Sequence, residues 1–193
     1  MKRCLPFLAL LALTTVVFAG PDERVAEIRK WYDTVQGAKR TAERKIAFEA
    51  EGEPLSGDVA IRDYDGGWKM VLVSYGAGDH AGIEEKFYFK DGKLFFAHIV
   101  TSYWRFHPDS TDEKPKTIDT RTEDRYYYED KTCVRRLTRS ATSAEADKLP
   151  AIVAKLEQKQ IEPGEEAKSE RERAEKLLAA KTEADVLAAF EVK

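Results

Sequence analysis

Glu84-Glu85-Lys86-Phe87-Tyr88-Phe89-Lys90-Asp91-Gly92-Lys93-Leu94-Phe95-Phe96-Ala97 is the stretch whose reading decides the fold. Asp91-Gly92 between two alternating apolar runs is a strong hairpin signal, because both residues tolerate the left-handed backbone that a two-residue turn requires. A two-residue loop sets Phe89 opposite Leu94, Phe87 opposite Phe96, Glu85 opposite His98 and Ile83 opposite Val100. Those pairs share one face, since side chains alternate along a strand. On this register Phe87, Phe89, Leu94 and Phe96 form the core face near the turn. Further from the turn Ile99, Val100, Tyr103 and Trp104 make both faces apolar, so the strand is either covered twice or exposes a groove.

Working outward, the neighbouring segments extend the hairpin into an antiparallel meander. Asp58–Tyr64 and Trp68–Tyr75 flank the turn residues Asp65-Gly66-Gly67. Gly76–Gly82 reads as a loop and His107–Thr117, with Pro108 and Pro115, as an exposed connection. A weaker echo of the first hairpin lies in Asp119–Tyr128 and Thr132–Arg139, where Tyr126-Tyr127-Tyr128 replaces Phe87-Tyr88-Phe89 and Asp130-Lys131 replaces Asp91-Gly92. Lys39–Glu51 is ambiguous. The alternation of Ile46, Phe48 and Ala50 favours a strand over Lys45–Glu51, and a helix over Arg40–Ala50 is the alternative. The sheet is therefore expected to have six or seven strands.

Helices flank this sheet in the chain. Val25, Ile28, Tyr32 and Val35 form one apolar stripe after Pro21-Asp22, which predicts a helix over Pro21–Gln36 that covers the sheet. Ala144–Gln160 carries Leu149, Ile152, Val153 and Leu156 on one side, with Pro150 positioned to restart the helix. Glu165–Lys181 is highly charged, and only Ala167, Ala174, Leu177 and Leu178 give it a sticky side. Thr182 with Asp185 has the spacing to cap a last short helix through Phe190. The expected class is α+β: an N-terminal helix on an antiparallel meander, with C-terminal helices.

The first residues belong to a different kind of segment. Lys2 and Arg3, the apolar run Leu5–Phe18 and Val17-Phe18-Ala19 have the layout of a secretory signal peptide cut after Ala19. The run is short of the roughly 20 residues a spanning helix needs. The organisation expected is a signal peptide at 1–19, an α+β domain at 20–160 and a charged helical extension at 161–193. Loss of Lys2 and Arg3 takes the formal charge from −3 to −5. That acidic balance argues against nucleic acid as a partner. Only Cys133 remains after processing, so an intrachain disulfide is excluded and the fold rests on its core.

Few residues invite chemistry. The expected register makes Glu85–His98 the one polar pair on the inner face, a weak candidate for a carboxylate-oriented general base. Ser102, four positions along, is too far from His98 for a direct hydrogen bond. Tyr103, Trp104, Tyr127 and Arg135 are the candidate binding residues, with Arg135 expected opposite Tyr126 where a cation–π contact could form. Cys133 takes the place of Leu94, an inward apolar site. Gly76-Ala77-Gly78-Asp79-His80-Ala81-Gly82 has the wrong last spacing for a nucleotide fingerprint and joins two strands. Asp109–Glu113 lacks the calcium-loop pattern, and His80, His98 and His107 lack metal-ligand spacing. No cofactor is implied.

Glu85–Phe96, E-K-F-Y-F-K-D-G-K-L-F-F, followed by Glu123–Arg136, E-D-R-Y-Y-Y-E-D-K-T-C-V-R-R, resembles hairpins of a loose group of uncharacterised secreted bacterial proteins. The resemblance covers Arg24–Arg139. It implies a bacterial envelope origin and the order helix, tyrosine-rich meander, helical C-terminus. It implies no activity and transfers no site residues. The expectation for function is a non-enzymatic secreted or periplasmic module that binds a protein or a small ligand through its sheet. A small hydrolase or transferase using His98 and Glu85 is one alternative. A structural or inhibitor module acting through the C-terminal helix is another.

Overall fold

The computed structural model describes residues 20–192; the expected signal peptide lies outside the described residues. Eight strands form one antiparallel sheet in strict chain order: β1 (Arg40–Glu49), β2 (Leu55–Tyr64), β3 (Trp68–Ala77), β4 (Ala81–Lys90), β5 (Lys93–Phe106), β6 (Thr117–Glu129), β7 (Thr132–Ser143) and β8 (Lys159–Ile161). The ambiguous 39–51 segment is thus a strand. The eighth strand, three residues paired with β7, was not anticipated and raises the count above seven. The helices are α1 (Pro21–Gly37), α2 (Leu149–Lys155), α3 (Glu165–Ala179) and α4 (Glu183–Ala189).

The central strands are apolar on both faces because both faces are covered. On one side Val25, Ile28 and Val35 of α1 pack with Trp68, Met70, Tyr88, Phe95, Phe96, Tyr127 and Leu137. Trp31 meets Phe95 edge-on at 5.5 Å between ring centroids, and Tyr32 meets Phe96 at 5.5 Å. On the other side Ala167, Ala174 and Leu177 of α3 and Val186 and Ala189 of α4 join Val71, Val73, Phe87, Phe89, Leu94, Ala97, Ile99, Tyr126 and Tyr128 in one cluster. The segment expected as a charged helical extension therefore shares the core of the sheet. Ala167, Ala174 and Leu177 face the strands, and of its charges Arg173 turns inward to Glu85 while carrying Glu170 with it.

The opening hairpin turns where expected, with Asp91 at φ 50° and Gly92 at 78°. Lys90 pairs with Lys93 and Phe89 with Leu94. Beyond that the expected register fails, because Phe95 is an extra residue in a β-bulge between Phe89–Leu94 and Tyr88–Phe96. Phe95 and Phe96 consequently both face α1. Every later residue of β5 is shifted by one, and a one-residue shift exchanges faces. Phe96 leaves the Phe87 face, and Ala97 pairs with Phe87 instead.

The second hairpin repeats the device. Tyr128 pairs with Cys133 and Tyr127 with Arg135, leaving Val134 as the extra residue. The expected Arg135–Tyr126 contact is therefore replaced by Arg136, whose guanidinium lies 5.1 Å from the Tyr126 ring centroid. At this turn Asp130 takes positive φ, 49°, and Lys131 does not. The strain of a side chain in the left-handed region thus falls on an aspartate, which tolerates it better than most.

The long helix expected over Ala144–Gln160 is reduced to α2. Pro150 sits at its first turn, and Leu149 and Val153 are the buried residues. α2 lies over β6 and β7 on the α1 side, where Arg139 Nη1 donates to the Ala154 carbonyl at 2.9 Å. Thr182 and Asp185 cap α4 as their spacing predicts, Asp185 N donating to Thr182 Oγ1 at 3.2 Å.

Candidate functional site

Two cross-strand pairs of β5 and β6 build the floor of a cleft. Phe96 lies opposite Tyr127, and His98 opposite Arg125. All four point toward α1, because they alternate with Ala97 and Tyr126 on the other face. The Phe96 and Tyr127 rings are 5.1 Å apart. Ile28, Arg29, Tyr32 and Asp33 form the roof, since residues one turn apart on α1 overhang the same strands. The cleft has a volume of about 290 Å³. The Arg29 guanidinium hangs 6.0 Å from the centroid of Tyr127. The floor is apolar at Phe96 and Tyr127 and polar at His98 and Arg125, and Arg29 and Asp33 of α1 stand at the rim.

The charged end is built on β5, β6 and β7. Glu123 is buried beside His98, with Oε2 3.9 Å from His98 Nε2. Arg139 donates to the same oxygen from Nε at 2.9 Å and Nη2 at 2.7 Å. Arg121 approaches Oε1 at 3.6 Å. Glu123 is thereby held ionised, its pKa below the ordinary carboxylate value although its burial alone would raise it. His98 Nε2 is buried and has no hydrogen-bond partner. Burial, then the positive charge of Arg125, push the His98 pKa down to about 4, against the opposing pull of Glu123. The imidazole is neutral at pH 7. With the Gln158 amide turned to meet it, the amide oxygen accepts from Arg125 Nε at 3.0 Å and Nη1 at 2.9 Å. Arg125 Nη2 has no partner among the described residues.

Glu85 is on the opposite face, so the expected Glu85–His98 pair does not form. The bulge at Phe95 sets His98 opposite Lys86 and Glu85 opposite Ile99. Glu85 is 1% exposed beneath α3. Its Oε1 accepts from Tyr75 Oη at 3.0 Å and Arg173 Nη2 at 2.5 Å, while Oε2 is buried without a partner. Arg173 also pairs with Glu170. One guanidinium thus serves two carboxylates, and burial drives the Glu85 pKa up to about 7 despite Arg173. A general base on His98 oriented by Glu85 is ruled out by this geometry.

The structure does not bring the four candidate binding residues together. Tyr127 is buried under α1, and Arg135 is half-buried and paired with Asp22 of α1. Tyr103 is 44% exposed at the far end of β5. Trp104 is half-buried there, stacked on His80 at 3.9 Å with Nε1 donating to the Asp79 carbonyl at 3.2 Å. Cys133 is half-buried against the α3 side, and burial raises its thiol pKa. Comparison of the chain with protein-family models, curated proteins and solved structures found no match. Among the described residues no group of three or more His, Cys, Asp or Glu side chains is placed to hold a metal ion. No helix among them is long and apolar enough to cross a membrane.

Sequence reasoning missed Phe96, Arg125 and Arg173 as site residues. Arg125 carried a usable signal: it alternates with Tyr127 in E-D-R-Y-Y-Y and so shares its face. Arg173 carried none, because its partners lie 88 and 98 residues away on β4 and β3.

Proposed function

We propose that the protein is a non-enzymatic binding module of the bacterial envelope, secreted or periplasmic, that holds a small organic ligand between α1 and the β5–β6 floor. The carrying observation is the cleft itself. It has an aromatic floor of Phe96 and Tyr127, a helical roof, and a polar end at His98 and Arg125 whose hydrogen-bonding capacity is incompletely used. Such a mixture of apolar walls with few convergent polar groups is how small-molecule sites are made. The signal-like first 19 residues and the resemblance of the hairpins support the location. The exposed Tyr103 and Phe106 at the end of β5 favour a second reading, a protein contact at that end.

The test is an NMR screen of the chain from Gly20 onward against small-molecule extract of envelope fractions. Saturable shifts of the Tyr32, Phe96, His98 and Tyr127 resonances are expected. Compounds that move only resonances elsewhere, or an extract that moves none, would overturn the reading.

A further inference from the structure

Resting on that reading, we propose that the cleft selects a small organic carboxylate, with its charged group at Arg125 and His98 and its apolar body on Phe96 and Tyr127. The charge balance around His98 carries this. From β6 it is faced by Arg125 and Glu123, from β4 by Lys86, from β7 by Arg139, and from α1 by Tyr32 with Arg29 and Asp33 at the rim. Glu123 is already neutralised by Arg139 and Arg121. Arg125, Lys86 and Arg29 have no ion-pair partner among the described residues. Asp33 is one helical turn from Arg29 at the exposed rim and offsets that cation, so the interior of the cleft retains a positive excess.

A guanidinium whose Nη2 is free presents planar donors suited to a carboxylate. The aromatic floor beside it excludes a bare inorganic ion as the best fit, because such an ion would leave Phe96 and Tyr127 without a contact. His98 supplies the second element. It is neutral because burial and surrounding cations disfavour its charge. An anion seated beside it adds to the pull of Glu123 and offsets the cations, so binding raises the imidazole's affinity for a proton. The affinity for an ionised ligand therefore rises as pH falls from about 7 toward 5.5, where a carboxylate of pKa about 4.3 is still charged.

The experiment uses 4-(trifluoromethyl)phenylacetate and its neutral amide, followed by ¹⁹F NMR titration of the chain from Gly20 onward. The acid is expected to bind about tenfold or more tighter than the amide, the worth of a charge-assisted hydrogen bond. Arg125→Gln should abolish that preference. His98→Gln should weaken acid binding at about pH 5.5 toward its level at about pH 7 and so flatten its pH dependence. Should Arg125→Gln fail to fold, the His98→Gln pH profile still decides. Equal binding of acid and amide would overturn anion selection while leaving a ligand cleft in place. Binding of neither probe would overturn the carboxylate proposal, and the envelope-extract screen would then judge the cleft separately.

Discussion

Replacing Glu85 or His98 should reveal two opposed proton linkages that nearly cancel in the wild type. Glu85 has a pKa of about 7 in the fold against an ordinary 4.5. The folded state therefore holds its proton more tightly. The stability this contributes is fully present below pH 4.5 and is lost as pH rises through 7. At about 1.36 kcal/mol for each unit, the whole effect is about 3 kcal/mol. His98 runs the other way. Its pKa falls from 6.5 to about 4, so the unfolded chain binds the proton more tightly, and stability grows by a similar ~3 kcal/mol as pH rises from 4 to 6.5. Between about pH 4.5 and 6.5 the two slopes oppose each other.

Urea denaturation followed by tryptophan fluorescence at intervals from pH 4.5 to 7.5 measures this directly. Glu85→Gln should make stability rise with pH across the window, relative to wild type. His98→Gln should make it fall. The double variant should restore a flatter profile, because the residues lie on opposite faces and their effects add. Glu43 and Glu166 also have lowered pKa values, but they titrate alike in all variants and drop out of the differences, whereas Glu123 is coupled to His98 and its change is counted with that residue. A Glu85→Gln profile parallel to wild type over the whole range would refute the raised pKa of Glu85.

Two further substitutions probe how α3 is held. Arg173→Met removes the cation between Glu85 and Glu170 and should cost about 3–5 kcal/mol in urea melts, because it leaves buried carboxylates uncompensated. Adding Glu85→Gln to that variant should recover part of the loss; no recovery would mean that packing, not the charge, explains it. Tyr128→Phe removes the hydroxyl that donates to the Ala167 carbonyl at 2.9 Å and should cost about 0.5–1.5 kcal/mol, with the loss seen as faster amide exchange in the first turns of α3.

Local chemistry made much of the fold legible. Asp91-Gly92 located its turn and the first two pairs beyond it, and Val25, Ile28 and Val35 located the buried stripe of α1. Thr182 and Asp185 located the start of α4. What remained hidden depended on contacts distant in sequence. The stripe Ala167, Ala174 and Leu177 is thin, and its burial is decided by an apolar sheet face whose nearest contact, Tyr128 to Ala167, already spans 39 residues. β8 is too short to carry a period and exists because β7 offers Arg136–Thr138 an unpaired edge. The cleft was half visible, since Tyr127 and His98 were singled out. Their partners Phe96 and Arg125 became readable only once the true register placed all four on one face.

That register depends on a single residue, and the dependence explains both the fold and the site. Leu94-Phe95-Phe96-Ala97 has no alternation, so a strictly alternating strand would have to send Phe95 to one face and Phe96 to the other. α1 covers the end of the sheet near the turn and is served by two adjacent aromatics on its side, Phe95 against Trp31 and Phe96 against Tyr32. The bulge supplies them. Its consequence lies two residues further on, where His98 is carried to the α1 face beside Arg125 and away from Glu85. The second hairpin bulges at the matching place and sends Val134 and Arg135 toward the same helix. Both hairpins thus gain helix contacts through the same extra residue. The polar end of the cleft exists only because the first of them did.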